Sequence, residues 1–117
     1  MKIVTDLINE AKARIRQVSV AEARAMHERG NVTFLDVRDQ QEVNLGRIPG
    51  ALHISRGTME TKVEAAVPRD ADIVIYCASG NRSALAAVTL HEMGYGKVSS
   101  LAEGFRGWAE SGGDIED

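Results

Sequence analysis

A chain of 117 residues, 44% hydrophobic and 26% charged, has the size and make-up of one ordinary globular domain, able to build a single core without disulfides or a metal. Its net charge of −3, from 14 basic and 17 acidic residues, argues against a nucleic-acid or anionic-membrane surface, and no apolar run approaches the roughly 20 residues that span a bilayer. The single cysteine excludes an internal disulfide, and the amino terminus, broken by Asp6 and Glu10, does not read as a signal peptide, so a cytoplasmic location is expected.

Residues 3–16 form an expected amphipathic helix, with Ile3, Val4, Leu7, Ile8, Ala11 and Ile15 on one face and Lys12, Arg14 and Arg16 near its end. That face either packs on the domain or offers a partner or dimer contact. After a short extended piece, Ser19-Val-Ala-Glu22 has capping-box spacing, which predicts a helix over 20–29 closed by Gly30. Residues 32–37 read as a buried strand, 39–50 as a polar loop and 51–54 as a short strand. A helix over 58–67 ends at Pro68. The β-branched stretch at 72–76 predicts a buried parallel strand, followed by a small-residue loop and a helix over 83–93, with Ser83 at its N-cap or in its first turn and Gly94 closing it. A last strand over 97–101 and a short helix over 105–109 complete the chain. Strands that alternate with helices predict an α/β domain, a mainly parallel sheet covered on both faces, with ligands at the carboxyl ends of the strands.

Cys77 falls at such an end. A cysteine that closes a strand, precedes a loop of small residues and points at a helix start meets converging N–H groups and the positive end of a helix dipole, and Arg82 adds a charge to the same loop. The competing reading is a buried structural cysteine. His27, His53 and His91 are assigned to structural positions away from the loop, so neither a Cys–His hydrolase nor a zinc site is supported. A thiolate activated without a base suits two reactions: sulfur transfer through a persulfide, or phosphoryl or arsenate chemistry through a cysteinyl adduct. Asp36, Arg38 and Glu42 form a second cluster, read as an ion-pair network that orients the strand end. Trp108 is read as core or lid packing.

Four segments together, Phe34-Leu-Asp-Val-Arg38 with Glu42, Gly46-Arg-Ile-Pro-Gly-Ala51, Ile75-Tyr-Cys-Ala-Ser-Gly-Asn-Arg-Ser83 and Leu101-Ala-Glu-Gly-Phe-Arg-Gly-Trp108, resemble the single-domain rhodanese (thiosulfate sulfurtransferase) family. The resemblance covers about residues 17–112 and divides the chain into a helical extension, 1–16, and a rhodanese-like domain, 17–117. It implies a three-layer α/β fold around a five-stranded sheet. Cys77 would carry sulfane sulfur as a persulfide, taken from thiosulfate or another persulfide and passed to cyanide or a thiol, with no metal or organic cofactor. The loop residues Ala78, Ser79, Gly80, Asn81 and Ser83 would cradle the sulfur, Arg82 would bind the anionic donor, and Asp36, Arg38 and Glu42 would support the site. Four residues between Cys77 and Arg82 match the sulfurtransferase loop; phosphatases of this fold have one more. Two positions depart from the family's pattern: Arg47 stands where His is frequent, and Glu103-Gly104 where Gly-Gly is frequent. A persulfide carrier with little turnover is the alternative of a different class.

Overall fold

The computed structural model describes all residues from Met1 to Asp117. Its strands are β1 (Arg16–Val18), β2 (Thr33–Asp36), β3 (Leu52–His53), β4 (Ile73–Tyr76) and β5 (Val98–Leu101). They form one sheet in the order β1-β5-β4-β2-β3, and every pairing is parallel. The helices are α1 (Val4–Arg14), α2 (Val20–Arg29), α3 (Gln40–Val43), α4 (Met59–Ala66), α5 (Asn81–Glu92) and α6 (Gly104–Glu110). No helix is long and apolar enough to cross a membrane.

The period-2 alternation of β4 divides the interior. Ile73, Ile75 and Cys77 face one core, shared with Met59 and Val63 of α4, Ala84, Ala87 and Leu90 of α5, and Ala11 of α1. Val74 and Tyr76 face the other, with Val20 and Ala23 of α2 and Trp108 of α6. Buried on both faces, β4 can be apolar throughout, which is why Ile73–Tyr76 reads as a continuous run. The chain is therefore an α/β domain with a five-stranded parallel sheet covered on both faces, with β4 central and its carboxyl end feeding Cys77.

One expectation needs correction and two are met in part. The polar stretch 39–50 contains a helical turn, α3, that opens after Asp39; the Asp39 amide donates to Glu42 Oε1 at 3.1 Å and its carbonyl accepts from the Glu42 amide at 3.0 Å. Four helical residues are too few to show a period. Ser83 lies in the first turn of α5 and not at its N-cap: the helix starts two residues earlier, at Asn81, and its cap is Gly80 in the left-handed region (φ 93°). The stripe at 3–15 is only partly covered. Ala11 and Ile15 are buried, while Ile3, Val4 and Leu7 are exposed.

Arg47 has its explanation in the carboxyl-terminal segment. It forms a short antiparallel bridge with Glu116 through both main chains, and its Nε and Nη2 donate to Glu116 Oε2 at 2.9 and 2.7 Å. The Gly50 amide donates to Glu116 Oε1 at 3.0 Å, so the segment ties down the loop between α3 and β3.

Candidate active site

The site is built at the carboxyl end of β4. Tyr76 completes the strand and Cys77 leaves it, with its side chain on the α5 side of the sheet. Gly80 lets the chain turn back over the sulfur. At its φ of 93° a side chain is disfavoured, and a Cβ would run into the carbonyl of Ala102. The turn aims amides inward: Gly80 N donates to Cys77 Sγ at 3.2 Å and Ser83 N at 3.3 Å. From outside, α6 holds the loop, its Phe105 and Arg106 amides donating to the carbonyls of Cys77 and Ala78 at 2.8 and 3.1 Å.

Cys77 is 1% exposed. Burial pushes its thiol up, but hydrogen bonds from the Ser83 side chain and from the Ser83, Ser79 and Gly80 amides outweigh that and leave it below the ordinary thiol range. The shift is toward the thiolate, and it comes from hydrogen bonds and not from a neighbouring base. His27 bonds the Pro49 carbonyl, His53 the Arg38 carbonyl, and His91 is exposed at the far end of α5. The largest cavity, about 430 Å³, lies among Arg14, Arg16, Asp72, His91 and Lys97 at the opposite ends of the strands and does not include Cys77.

The expected residues separate into three groups. Cys77, Ser79, Gly80 and Ser83 meet at the sulfur through their amides or the Ser83 hydroxyl. Ala78 instead binds α6 through its carbonyl, and Asn81 opens α5 at the surface; neither bonds the sulfur. Arg82 turns toward α3, where its two terminal nitrogens each lie 3.1 Å from a carboxylate oxygen of Glu42. That bidentate bond holds Glu42 below the usual carboxylate range and raises Arg82. Glu42 therefore belongs with Arg82 and not, as expected, in one network with Asp36 and Arg38. Those two form their own buried pair: Arg38 Nη2 reaches Asp36 Oδ2 at 2.8 Å and the Gly46 carbonyl at 2.7 Å. The guanidinium lies over the Phe105 ring at 4.3 Å.

One residue at the site has no signal in the chain itself. Ser100 of β5 places its Oγ 2.8 Å from Ser83 Oγ, which lies 3.5 Å from Cys77 Sγ. Nothing distinguishes Ser99 from Ser100 as a string; the strand register, with Ser100 beside Ile75, selects the second.

The family profile described as "Rhodanese-like domain" matches residues 19–111. A "Sulfurtransferase" of Allochromatium vinosum is 38% identical over 82 residues, 70% of this chain and 76% of that one. A "Thiosulfate sulfurtransferase" of Tolumonas auensis is 28% identical over 82% of this chain and 90% of its own. Among solved structures, a Rhodopseudomonas palustris protein of unknown function, described as a possible tyrosine phosphatase, superposes with a TM-score of 0.91 at 34% identity, over 99% of this chain and 96% of that one. With the profile spanning most of the chain and the site at its centre, the chain belongs to the rhodanese-like domain family.

Proposed function

We propose that the chain is a sulfurtransferase that moves sulfane sulfur through a Cys77 persulfide, from a donor such as thiosulfate or another persulfide to cyanide or a thiol. The observation that carries this reading is a lone cysteine sulfur held by the Gly80 and Ser83 amides with no base beside it. The thiolate attacks the outer sulfur of thiosulfate. The S–S bond breaks with its electron pair on the departing sulfite, and Cys77 is left as the persulfide anion. An acceptor thiolate or cyanide takes the terminal sulfur and returns the Cys77 thiolate. The loop amides stabilise the negative sulfur at each stage. The four-residue interval to Arg82 favours this over phosphoryl or arsenate chemistry.

The test is an intact mass after incubation with thiosulfate. One added sulfur is expected, removed by cyanide and absent in Cys77→Ser. A wild type that stays unmodified with thiosulfate and with low-molecular-weight persulfides alike overturns the reading.

The Arg82–Glu42 pair favours a second reading, a persulfide carrier with little thiosulfate turnover, because the loop's one cation is already matched by a carboxylate. The exposed Ile3, Val4 and Leu7 are the surface this reading gives to a protein partner or a second copy. Fast sulfur exchange with a persulfide donor, alongside slow thiosulfate:cyanide turnover, selects it.

A further inference from the structure

Two hydroxyls are sealed behind Cys77, and the reaction above uses neither. Ser83 and Ser100 are both 0% exposed. The parallel register sets Ser100 beside Ile75, on the face of β5 that looks at the first turn of α5. Its Oγ makes one hydrogen bond, to Ser83 Oγ at 2.8 Å, and Ser83 Oγ lies 3.5 Å from Cys77 Sγ. The result is a row of three polar atoms, sulfur to Ser83 to Ser100, closed to solvent.

Such a row has two self-consistent proton orders. With Cys77 as the thiol, the S–H points at Ser83 Oγ, and the Ser83 hydrogen goes on to Ser100 Oγ. With Cys77 as the thiolate, Ser83 donates to the sulfur, and Ser100 must then donate to Ser83. The only atom gained or lost between the two orders is the sulfur's own proton. A hydroxyl free to turn presents its positive end to the anion, which an apolar side chain of the same shape lacks. Donation into Ser83 also strengthens the Ser83 bond to sulfur.

We propose that Ser100 is a positioning residue for the Cys77 thiolate, acting through Ser83 by reversing its hydroxyl with the charge on sulfur. The proposal rests on the reading of Cys77 as the nucleophile, but its measurement does not need sulfur transfer. The ionic groups around the loop are Arg82 of α5, bound to Glu42 of α3 and near Asp39, the exposed Glu103 just before α6 and Arg106 within it, and the Asp36–Arg38 pair at the end of β2. None hydrogen-bonds either serine hydroxyl. On β4, Tyr76 faces the other core.

Cys77 is the only cysteine, so its alkylation rate by iodoacetamide against pH reads one thiol without interference. Ser100→Ala and Ser100→Val are expected to raise the apparent pKa of alkylation by about half a unit to one unit. Ser100→Thr, isosteric with the valine variant but keeping a hydroxyl, is expected to overlay the wild type. In a Ser83→Ala background, Ser100→Ala is expected to add no further shift, because the row is already cut. Circular dichroism and a thermal melt establish that each variant is folded; should the larger residues not fit, the alanine variant alone and in the Ser83→Ala background decides. A Ser100→Ala profile that overlays the wild type, or a shift that persists undiminished without Ser83, overturns the proposal. A wild type that takes up no sulfur while the Ser100→Ala shift is present removes the sulfur-transfer reading and leaves the serine row standing.

Discussion

At the scale of single residues the site rests on two ion pairs of unequal character. Asp36 and Arg38 have side chains 0% and 5% exposed, so each buried charge has the other as its partner. Asp36→Ala strands the Arg38 guanidinium in the interior and is expected to cost about 3–5 kcal/mol in urea unfolding, a large share of the roughly 5–15 kcal/mol of an ordinary domain; a cost below about 1 kcal/mol denies the pair its structural role. Arg82 and Glu42 are partly exposed, at 39% and 33%, and their bond governs potential more than stability. Glu42→Gln leaves Arg82 charged but unmatched, and is expected to lower the KM for thiosulfate about fivefold, the effect of roughly 1 kcal/mol at a solvated site. A rise in KM shows instead that Glu42 is needed to aim Arg82. Cys77 makes the stability of the protein depend on pH. Its folded-state pKa lies below that of the unfolded thiol, about 8.5, so the unfolded chain binds more protons between the two values. Its contribution is therefore complete above about pH 8.5 and fades as pH falls through the folded value. The stability gap between wild type and Cys77→Ala should widen with rising pH and level off near there; a flat gap removes the thiolate preference.

At the scale of elements, the loop from Cys77 to Ser83 is shaped by α6 as much as by its own residues. Gly104 at φ 65° sits against the Ala78 main chain, where a Cβ would strike the carbonyl that the Arg106 amide binds. Glu103 before it has φ −91° and ψ −3°, which any residue adopts. The missing first glycine of the family's pair is thus without consequence, and the second is required. Gly104→Ala is expected to lose about 1–2 kcal/mol from the left-handed backbone alone, and to raise the Cys77 alkylation pKa by displacing the loop. Glu103→Gly is expected to leave that pKa unchanged while costing about 0.4–1 kcal/mol through the freer unfolded chain. Equal effects on the thiol contradict this division. The same contrast marks what the chain declares in advance. Ser19 with Glu22, the apolar run of β4 and the small residues after Cys77 act over a few positions, so they are legible as a string. The left-handed Gly80 cap is less so, because a serine three residues on looks like a conventional cap. Arg82 to Glu42 spans 40 residues and Ser83 to Ser100 spans 17, and only the register of the parallel sheet brings them together.

At the scale of the whole molecule, the two cores make unequal demands, and α1 shows it. The face containing Cys77 is covered by three helices, and α1 is the one outside the span that matches the family profile. Its Ala11 is 4% exposed and Ile15, just beyond its end, is 9% exposed; both sit in one cluster with Ala84 and Ala87 of α5, with Leu85 and Val88 packed against it. α5 carries Arg82 and Ser83 in its first turn, so α1 supports from behind the helix that frames the sulfur. Directly after Ile15, β1 pairs with β5 and sets Gln17 beside Ser100. An appended segment and an integral one differ in what their removal does. Ile15→Ala is expected to cost about 2–4 kcal/mol, as for a core residue, while Leu7→Ser, 46% exposed, should stay within about 0.5 kcal/mol of the wild type. Deleting residues 2–13 uncovers the apolar back of α5 and should lower the thermal midpoint by several degrees, as a loss of about 1 kcal/mol does in a chain of this size. A midpoint unmoved by the deletion makes α1 an appendage. A lowered midpoint with an unchanged Cys77 alkylation profile means that α1 supports the core while the serine row and the loop amides set the thiol on their own.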